Sequence, residues 1–244
     1  MVAVMTEPSS SPIRGILFDK DGTLLDFTRT WVPLNRRAAM AAADGDPLLA
    51  ERLLASAGHD PASDHVIPGS LLAAGDAAEI ATHWVAMLPG IGLERLTERV
   101  DQIFAASAEE GVPIEAMAQV VRQLHERGYR LGLATSDSEA AAHGFLARCG
   151  LDQLFCYIAG WDSGHGRKPE PGMLQAFARA VDLPPKAIAM IGDSPQDMAM
   201  GRDGGAGLLV GVLTGTATPA DLQPPADVVL PSIADLVALL DPEA

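Results

Sequence analysis

Five short apolar runs punctuate the chain: Ile13–Phe18, Arg130–Ala134, Cys156–Ala159, Ala187–Ile191 and Gly207–Leu213. Each is too short for a membrane helix and is bounded by Gly, Asp, Ser or Thr, the pattern of a strand buried on both faces. Between the runs the period changes. Ile114–Arg127 carries apolar residues at Met117, Val120, Val121 and Leu124 and ends at Gly128, the spacing of an amphipathic helix closed by a glycine. Pro171–Val181 and Gln196–Asp203 repeat it. Strand alternating with helix predicts an α/β fold, a doubly wound, Rossmann-like parallel sheet.

One section breaks the alternation. From Phe27 to Gly111 only helix-like segments occur, rich in alanine and leucine: Asn35–Ala43, Pro47–Ser56, Asp76–Leu88 and Leu93–Ala108. No strand signal crosses it, and it ends at Glu110-Gly-Val-Pro113, which reads as a hinge. The predicted organisation is an all-α cap domain, residues 27–111, inserted into a discontinuous α/β core of residues 13–26 and 112–244, behind a flexible N-terminus over residues 1–12. Trp31, Trp84 and the leucines are expected to form the cap's own core. Arg36 and Arg37 are candidate contacts to a substrate from above the pocket, although a solvated helix face is the commoner fate of such a pair.

Composition narrows the function. Hydrophobic residues make up 48% of the 244 and charged ones 20%, a globular balance. The net charge of −15 repels nucleic-acid backbones and anionic lipid, so neither nucleic acid nor membrane is an expected partner. An anionic substrate would have to be met by local positive charge or a metal ion, and lysine occurs only at Lys20, Lys168 and Lys186. Cys149 and Cys156 form no metal-type pair and no disulfide framework; they read as small buried apolar residues in a reducing cytoplasm. The N-terminal residues lack the cationic start and apolar run of a secretory signal, and no apolar stretch is long enough to span a membrane. The expected location is cytoplasmic.

In open parallel sheets functional groups gather where the C-terminal strand ends meet the following loops. The first run ends in Asp19-Lys-Asp-Gly-Thr23, the second in Thr135-Ser136-Asp137 and the fourth in Gly192-Asp193-Ser-Pro-Gln-Asp197, while the loop after the third closes with Gly166-Arg-Lys-Pro169. Residues two apart on a strand face the same way, so Asp19 and Asp21 are expected to share a pocket and Lys20 to point elsewhere. Carboxylates converging in a low dielectric repel one another, and Mg²⁺ relieves that repulsion. A carboxylate beside Mg²⁺ remains a nucleophile toward phosphorus, and a second carboxyl can move the proton. Gly22 permits a backbone that turns amides toward an anion. Thr135, with Ser136 beside it, offers a hydroxyl and an amide, and Lys168 offers the positive charge. Asp137 has no role assigned by this pattern.

DKDGTL at Asp19–Leu24, LATSD around Thr135, RKPEP around Lys168 and GDSPQD around Asp193–Asp197 resemble, in order, the four motifs of the haloacid-dehalogenase-like hydrolase superfamily. The helical insertion after the first motif is similar to the cap of its phosphoglycolate phosphatase-like members. The resemblance implies that Asp19 is the nucleophile and a Mg²⁺ ligand, and that Asp21 is the general acid/base with its backbone carbonyl on the metal. It makes Asp193 the third protein ligand, places Asp197 behind the ligands or bonded to Lys168, and gives the phosphoryl group to Thr135, Ser136, Lys168 and Gly22. The reaction implied is Mg²⁺-dependent hydrolysis of a small phosphorylated metabolite, 2-phosphoglycolate first, through an aspartyl phosphate, by a monomer or homodimer.

Dehalogenases of the superfamily lack an acid at the Asp21 position. Phosphonoacetaldehyde hydrolases need a cap lysine, and none lies between Lys20 and Lys168. Ion-pumping ATPases need membrane helices. A phosphomutase of the β-phosphoglucomutase type shares all four motifs and stays open, as does a phosphate-binding regulatory module, although receiver-like modules are about half this length and have no lid.

Overall fold

The computed structural model describes residues 12–240. The expected flexible N-terminus therefore lies, but for Pro12, outside the described residues. The chain runs β1 (Gly15–Phe18), α1 (Phe27–Ala42), α2 (Pro47–Ser56), β2 (His59–Asp60), β3 (His65–Val66), α3 (Leu71–Ala74), α4 (Ala77–Val85), α5 (Leu93–Phe104) and α6 (Ser107–Glu110). It continues α7 (Met117–Glu126), β4 (Arg130–Ala134), α8 (Glu139–Arg148), β5 (Phe155–Ala159), α9 (Gly172–Ala180), β6 (Ile188–Gly192), α10 (Pro195–Gly204), β7 (Leu208–Val212), α11 (Pro219–Leu222), β8 (Val228–Leu230) and α12 (Leu236–Leu240). No described helix is long and apolar enough to cross a membrane.

Six strands form one parallel sheet in the order β5-β4-β1-β6-β7-β8. The register aligns Phe18 of β1 with Leu133 of β4 and Ile191 of β6, so these three strands end level with one another. Ile16, Leu17 and Phe18 are fully buried because each face of the sheet carries its own apolar layer: Ile16 and Phe18 in one with Val121, Leu124 and Phe145, Leu17 in the other with Met173, Leu174 and Phe177. That two-sided burial is why the strands read as unbroken apolar runs.

Residues of α1–α5 pack around a third apolar cluster with Leu53, Ile80 and Trp84 at its centre, and the Trp84 indole N–H donates to the Leu53 carbonyl at 2.9 Å. The helical segment enters and leaves through two neighbouring stretches of the chain. Asp26 N–H donates to Val112 O at 2.8 Å, Val112 N–H to Thr30 Oγ1 at 2.9 Å and Ile114 N–H to Leu24 O at 2.9 Å.

Several elements depart from the sequence pattern. Helix α1 starts at Phe27 rather than Asn35, running through Pro33, and the Asp26 carboxylate caps it by accepting from Arg29 N–H at 2.9 Å. The predicted Leu93–Ala108 helix breaks into α5 and α6. A two-residue antiparallel ladder, His59↔Val66 and Asp60↔His65, sits where no strand was expected. At the sheet edge β8 adds a sixth strand, half-buried and three residues long. Cys156 is exposed on the other edge strand, β5, rather than buried.

Gly132 in β4 has room for no side chain: a Cβ there would lie 2.7 Å from the Phe177 ring and 3.1 Å from Leu17 Cδ1. Gly132→Ala should therefore cost about 1–3 kcal/mol in a urea titration, the usual penalty for overpacking a filled core.

Candidate active site

The site is assembled by the level ends of β1, β4 and β6. Asp19 N–H continues the ladder by donating to Ile191 O at 2.8 Å, which fixes the first carboxylate beside β6. The chain then doubles back: the N–H groups of Leu24 and Leu25 both donate to Lys20 O, and Gly22 takes a positive φ of 85°. A side chain at Gly22 would clash with Asp193, whose Oδ2 lies 2.5 Å from the would-be Cβ, and one at Gly215 would run into the same oxygen. Asp193 is thus wedged between two glycine-lined turns.

Asp19, Asp193 and Asp197 are all buried and offer carboxylate oxygens within 4.8 Å of one another. Lys168, arriving on the loop after β5, divides its ammonium between Asp19 Oδ1 at 2.5 Å and Asp197 Oδ1 at 2.6 Å. The other oxygen of Asp197 accepts from Ser194 Oγ at 2.6 Å and Ser194 N–H at 3.1 Å, as half of the capping box that starts α10. Asp19 Oδ2 is buried and has no hydrogen-bond partner.

The electrostatics follow from burial. Desolvation pushes Asp19 from 3.8 up to about 7; Lys168 opposes the rise, and the charges of Asp197 and Asp21 add to it. Desolvation, with the charges of Asp19 and Asp197, holds Asp193 well above the ordinary carboxylate range. Burial works against the charge of Lys168, but its two aspartates outweigh it and leave the ammonium more basic than a free lysine. An all-oxygen donor set and acids held back from ionising together fit a hard divalent cation such as Mg²⁺.

Asp21 is not part of that acidic trio. Its Oδ1 accepts from the Trp31 indole at 2.6 Å and its Oδ2 from the Thr135 hydroxyl at 3.3 Å. Burial raises its pKa, Lys20 opposes, and the Asp137 charge adds to the rise. Lys20 does not point away as strand alternation suggested. It is fully buried, with its ammonium 2.6 Å from Asp137 and 3.3 Å from Asp21. The reason is that β1 ends at Phe18, so the period of two no longer applies at Asp19–Asp21. The unassigned Asp137 is the counter-ion of Lys20 and also accepts from Ser107 Oγ at 3.2 Å, reaching across to α6.

A cavity of about 190 Å³ opens over these groups, lined by Asp19, Asp21, Ser136, Lys168, Asp193 and Asp197 below and by the helical segment above. Thr135 does not line it, and its N–H is held by Ala159 O at 2.9 Å, so of the two donors expected there only the hydroxyl is left, and that faces Asp21. The Gly22 N–H donates to Leu25 O at 2.7 Å and is closed to an anion; the glycine serves the turn and the approach of Asp193. Arg36 and Arg37 do not reach the cavity. They are exposed and pair with Asp64 and Glu110, because α1 turns Trp31 and Asn35, four residues apart, toward the site and the arginines away from it. Trp31 was expected in the helical core; it packs edge-on against Phe104 at 5.2 Å but also faces Asp21. Asn35, Asp101, Trp161 and Thr216 also line the cavity and carry no motif that would have singled them out.

A family model described as haloacid dehalogenase-like hydrolase matches residues 13–205. The chain belongs to that family. Among similar proteins, phosphoglycolate phosphatase of Yersinia pestis is 29% identical, with 92% of each chain covered. N-acetylmuramic acid 6-phosphate phosphatase of Pseudomonas putida is 25% identical over 79% of this chain and 80% of its own. The fold matches crystalline CbbY from Rhodobacter sphaeroides, bound to phosphate, with a TM-score of 0.67 at 23% identity, covering 94% of this hydrolase and 99% of that chain.

In this hydrolase the raised Asp19 has a measurable consequence. An unfolded aspartate ionises near 3.8 and folded Asp19 near 7, so between those values the folded state holds the extra proton and stability falls as pH rises. The melting temperature in EDTA should therefore drop between pH 5 and pH 7.5, and Mg²⁺ should raise it more at pH 7.5 than at pH 5. Asp193→Asn should raise the EDTA melting temperature at pH 7.5 and shrink the Mg²⁺ increment. A metal increment that is the same at both pH values would contradict the assignment.

Proposed function

We propose that this hydrolase is a Mg²⁺-dependent phosphatase of small phosphate monoesters that works through an aspartyl phosphate on Asp19. The observation that carries the reading is the partnerless Asp19 Oδ2, buried at the floor of a cavity while its twin oxygen is held by Lys168. A carboxylate fixed by one oxygen presents the other to an incoming phosphorus, and the buried ammonium beside it balances charge gathering on the phosphoryl oxygens. Asp197 positions that ammonium from the opposite side. Asp21, its pKa raised by burial and its carboxyl oriented by Trp31 and Thr135, protonates the departing oxygen and then takes a proton from the hydrolytic water. Mg²⁺, held by Asp19, Asp193 and the main-chain carbonyl of Asp21, would supply charge screening between the acids and the phosphate.

Residues 27–111 act in this reading as a cap on a core formed by residues 13–26 and 112–244, keeping bulk water from the phosphoryl group. The doubled connection through Asp26 and Val112 is where it would turn. Relatives that match over nine-tenths of the chain and are named for phosphoglycolate make that ester the first to assay.

The test is hydrolysis of p-nitrophenyl phosphate with Mg²⁺. Asp19→Asn should lower kcat at least about 1,000-fold, as removal of a nucleophile does. Asp21→Asn should lower it about 100- to 10,000-fold, as loss of a proton carrier does, and should leave a phosphoryl adduct on Asp19 detectable by intact mass. Turnover that survives Asp19→Asn would remove the aspartate from the nucleophile's role.

A further inference from the structure

The two sides of the cavity differ in chemistry. Its upper side, from α1, α3, α4 and α5, presents Trp31, Asn35, Leu72, Ile80, Asp101 and Phe104. Lys168 is the only lysine or arginine among the lining residues, and it is held between Asp19 and Asp197 at the floor. Arg167 lines the adjoining cavity of about 240 Å³, but its guanidinium is paired with Asp76 and stacks 4.7 Å over the Trp161 ring. The upper side therefore meets a leaving group with no cation of its own among the described residues, and with the Asp101 carboxylate. A leaving group bearing a carboxylate or a second phosphate would face like charge there without a partner.

A second observation concerns a polar group on that side. Asn35 is 2% exposed, and its amide Nδ2 has no hydrogen-bond partner. A buried amide N–H left unpaired costs about 1–3 kcal/mol, so a ligand oxygen placed on it recovers that loss. An asparagine amide donates to a neutral hydroxyl oxygen, while Asp101 accepts from a hydroxyl proton; a carboxylate satisfies only the first of the two. Trp31, Phe104, Leu72 and Ile80 supply apolar faces for the carbon skeleton between such hydroxyls.

We propose that the ester cleaved here has a neutral, hydroxyl-bearing leaving group, a polyol or sugar unit rather than an acid, and that Asn35 is a specificity-determining residue donating to one of its oxygens. This rests on the phosphatase reading and narrows it. It also ranks phosphoglycolate, the ester suggested by the relatives' names, below hydroxylated neutral esters of similar size.

The experiment compares glycerol 3-phosphate and glucose 6-phosphate with 3-phosphoglycerate and 2-phosphoglycolate, using p-nitrophenyl phosphate as an ester without hydroxyls. In the wild type, kcat/KM for the better neutral hydroxylated ester should exceed that for either acid by about 10-fold or more, the effect of one unpaired interaction. Asn35→Leu should lower the ratio of hydroxylated to aryl ester by about 10-fold. Asp101→Lys, at an exposed position that packing does not constrain, should shift preference toward the acids by a similar factor and does not depend on Asn35→Leu folding. Hydrolysis of the aryl ester with equal or better turnover of 2-phosphoglycolate or 3-phosphoglycerate overturns the inference and leaves the phosphatase reading standing. An Asn35→Leu enzyme that turns over the aryl ester but keeps the wild-type ratio overturns the role of Asn35. A wild type that hydrolyses none of the five, aryl ester included, overturns the phosphatase reading and the inference together.

Discussion

Lys168 lies between Asp19 and Asp197, at 2.5 and 2.6 Å, in a pocket where all three are buried. Remove the ammonium and three carboxylates, Asp193 included, are left within 4.8 Å of one another in a low dielectric. The second buried lysine, Lys20, performs the same service a few ångströms along the chain for Asp21 and Asp137. A protein of net charge −15 thus places two of its three lysines between neighbouring pairs of aspartates at the site. The arginines are left to the surface, and these two ammonium groups offset the repulsion of the carboxylates gathered at the ends of β1 and β6. What remains is a deficit of positive charge, which adds to burial in raising the pKa values of Asp19 and Asp193 and which a divalent cation would relieve.

The sheet was legible because a strand covered on both faces has no polar positions to blur its edges, and β1, β4, β5, β6 and β7 lie within two residues of the apolar runs. The strand Val228–Leu230 escaped because it is an edge, half-buried and three residues long. Pro33 hid the first turns of α1: proline normally opens a helix rather than sitting in one. Helix α8, over Glu139–Arg148, is dense in alanine, and its apolar stripe is faint in the sequence.

Residue type and position led to carboxylates gathering at these strand ends, but they paired Asp19 with Asp21 where the structure groups Asp19 with Asp193 and Asp197; the contact of Asp197 with Lys168 was implied only by the family resemblance. The roles of the small groups were not legible, because they depend on where each amide is already bonded. The N–H of Thr135 goes to Ala159 and that of Gly22 to Leu25, facts of ladder and turn that no motif spells out. Helical phase decided Arg36 and Arg37 as well. The signal that would have found the upper side of the cavity, Trp31 and Asn35 at i and i+4 with Asp101 and Phe104 at i and i+3, was present in the sequence, but only with the entry angle of α1 known does it point anywhere.

The indole of Trp31 belongs to α1, and the carboxylate it grips belongs to the turn after β1. That hydrogen bond favours the ionised carboxyl while burial, the larger effect, favours the neutral one, so the helical segment acts on Asp21 in two opposed ways at once. The acidity of a group on the sheet is thereby set in part by a residue that the sheet does not carry.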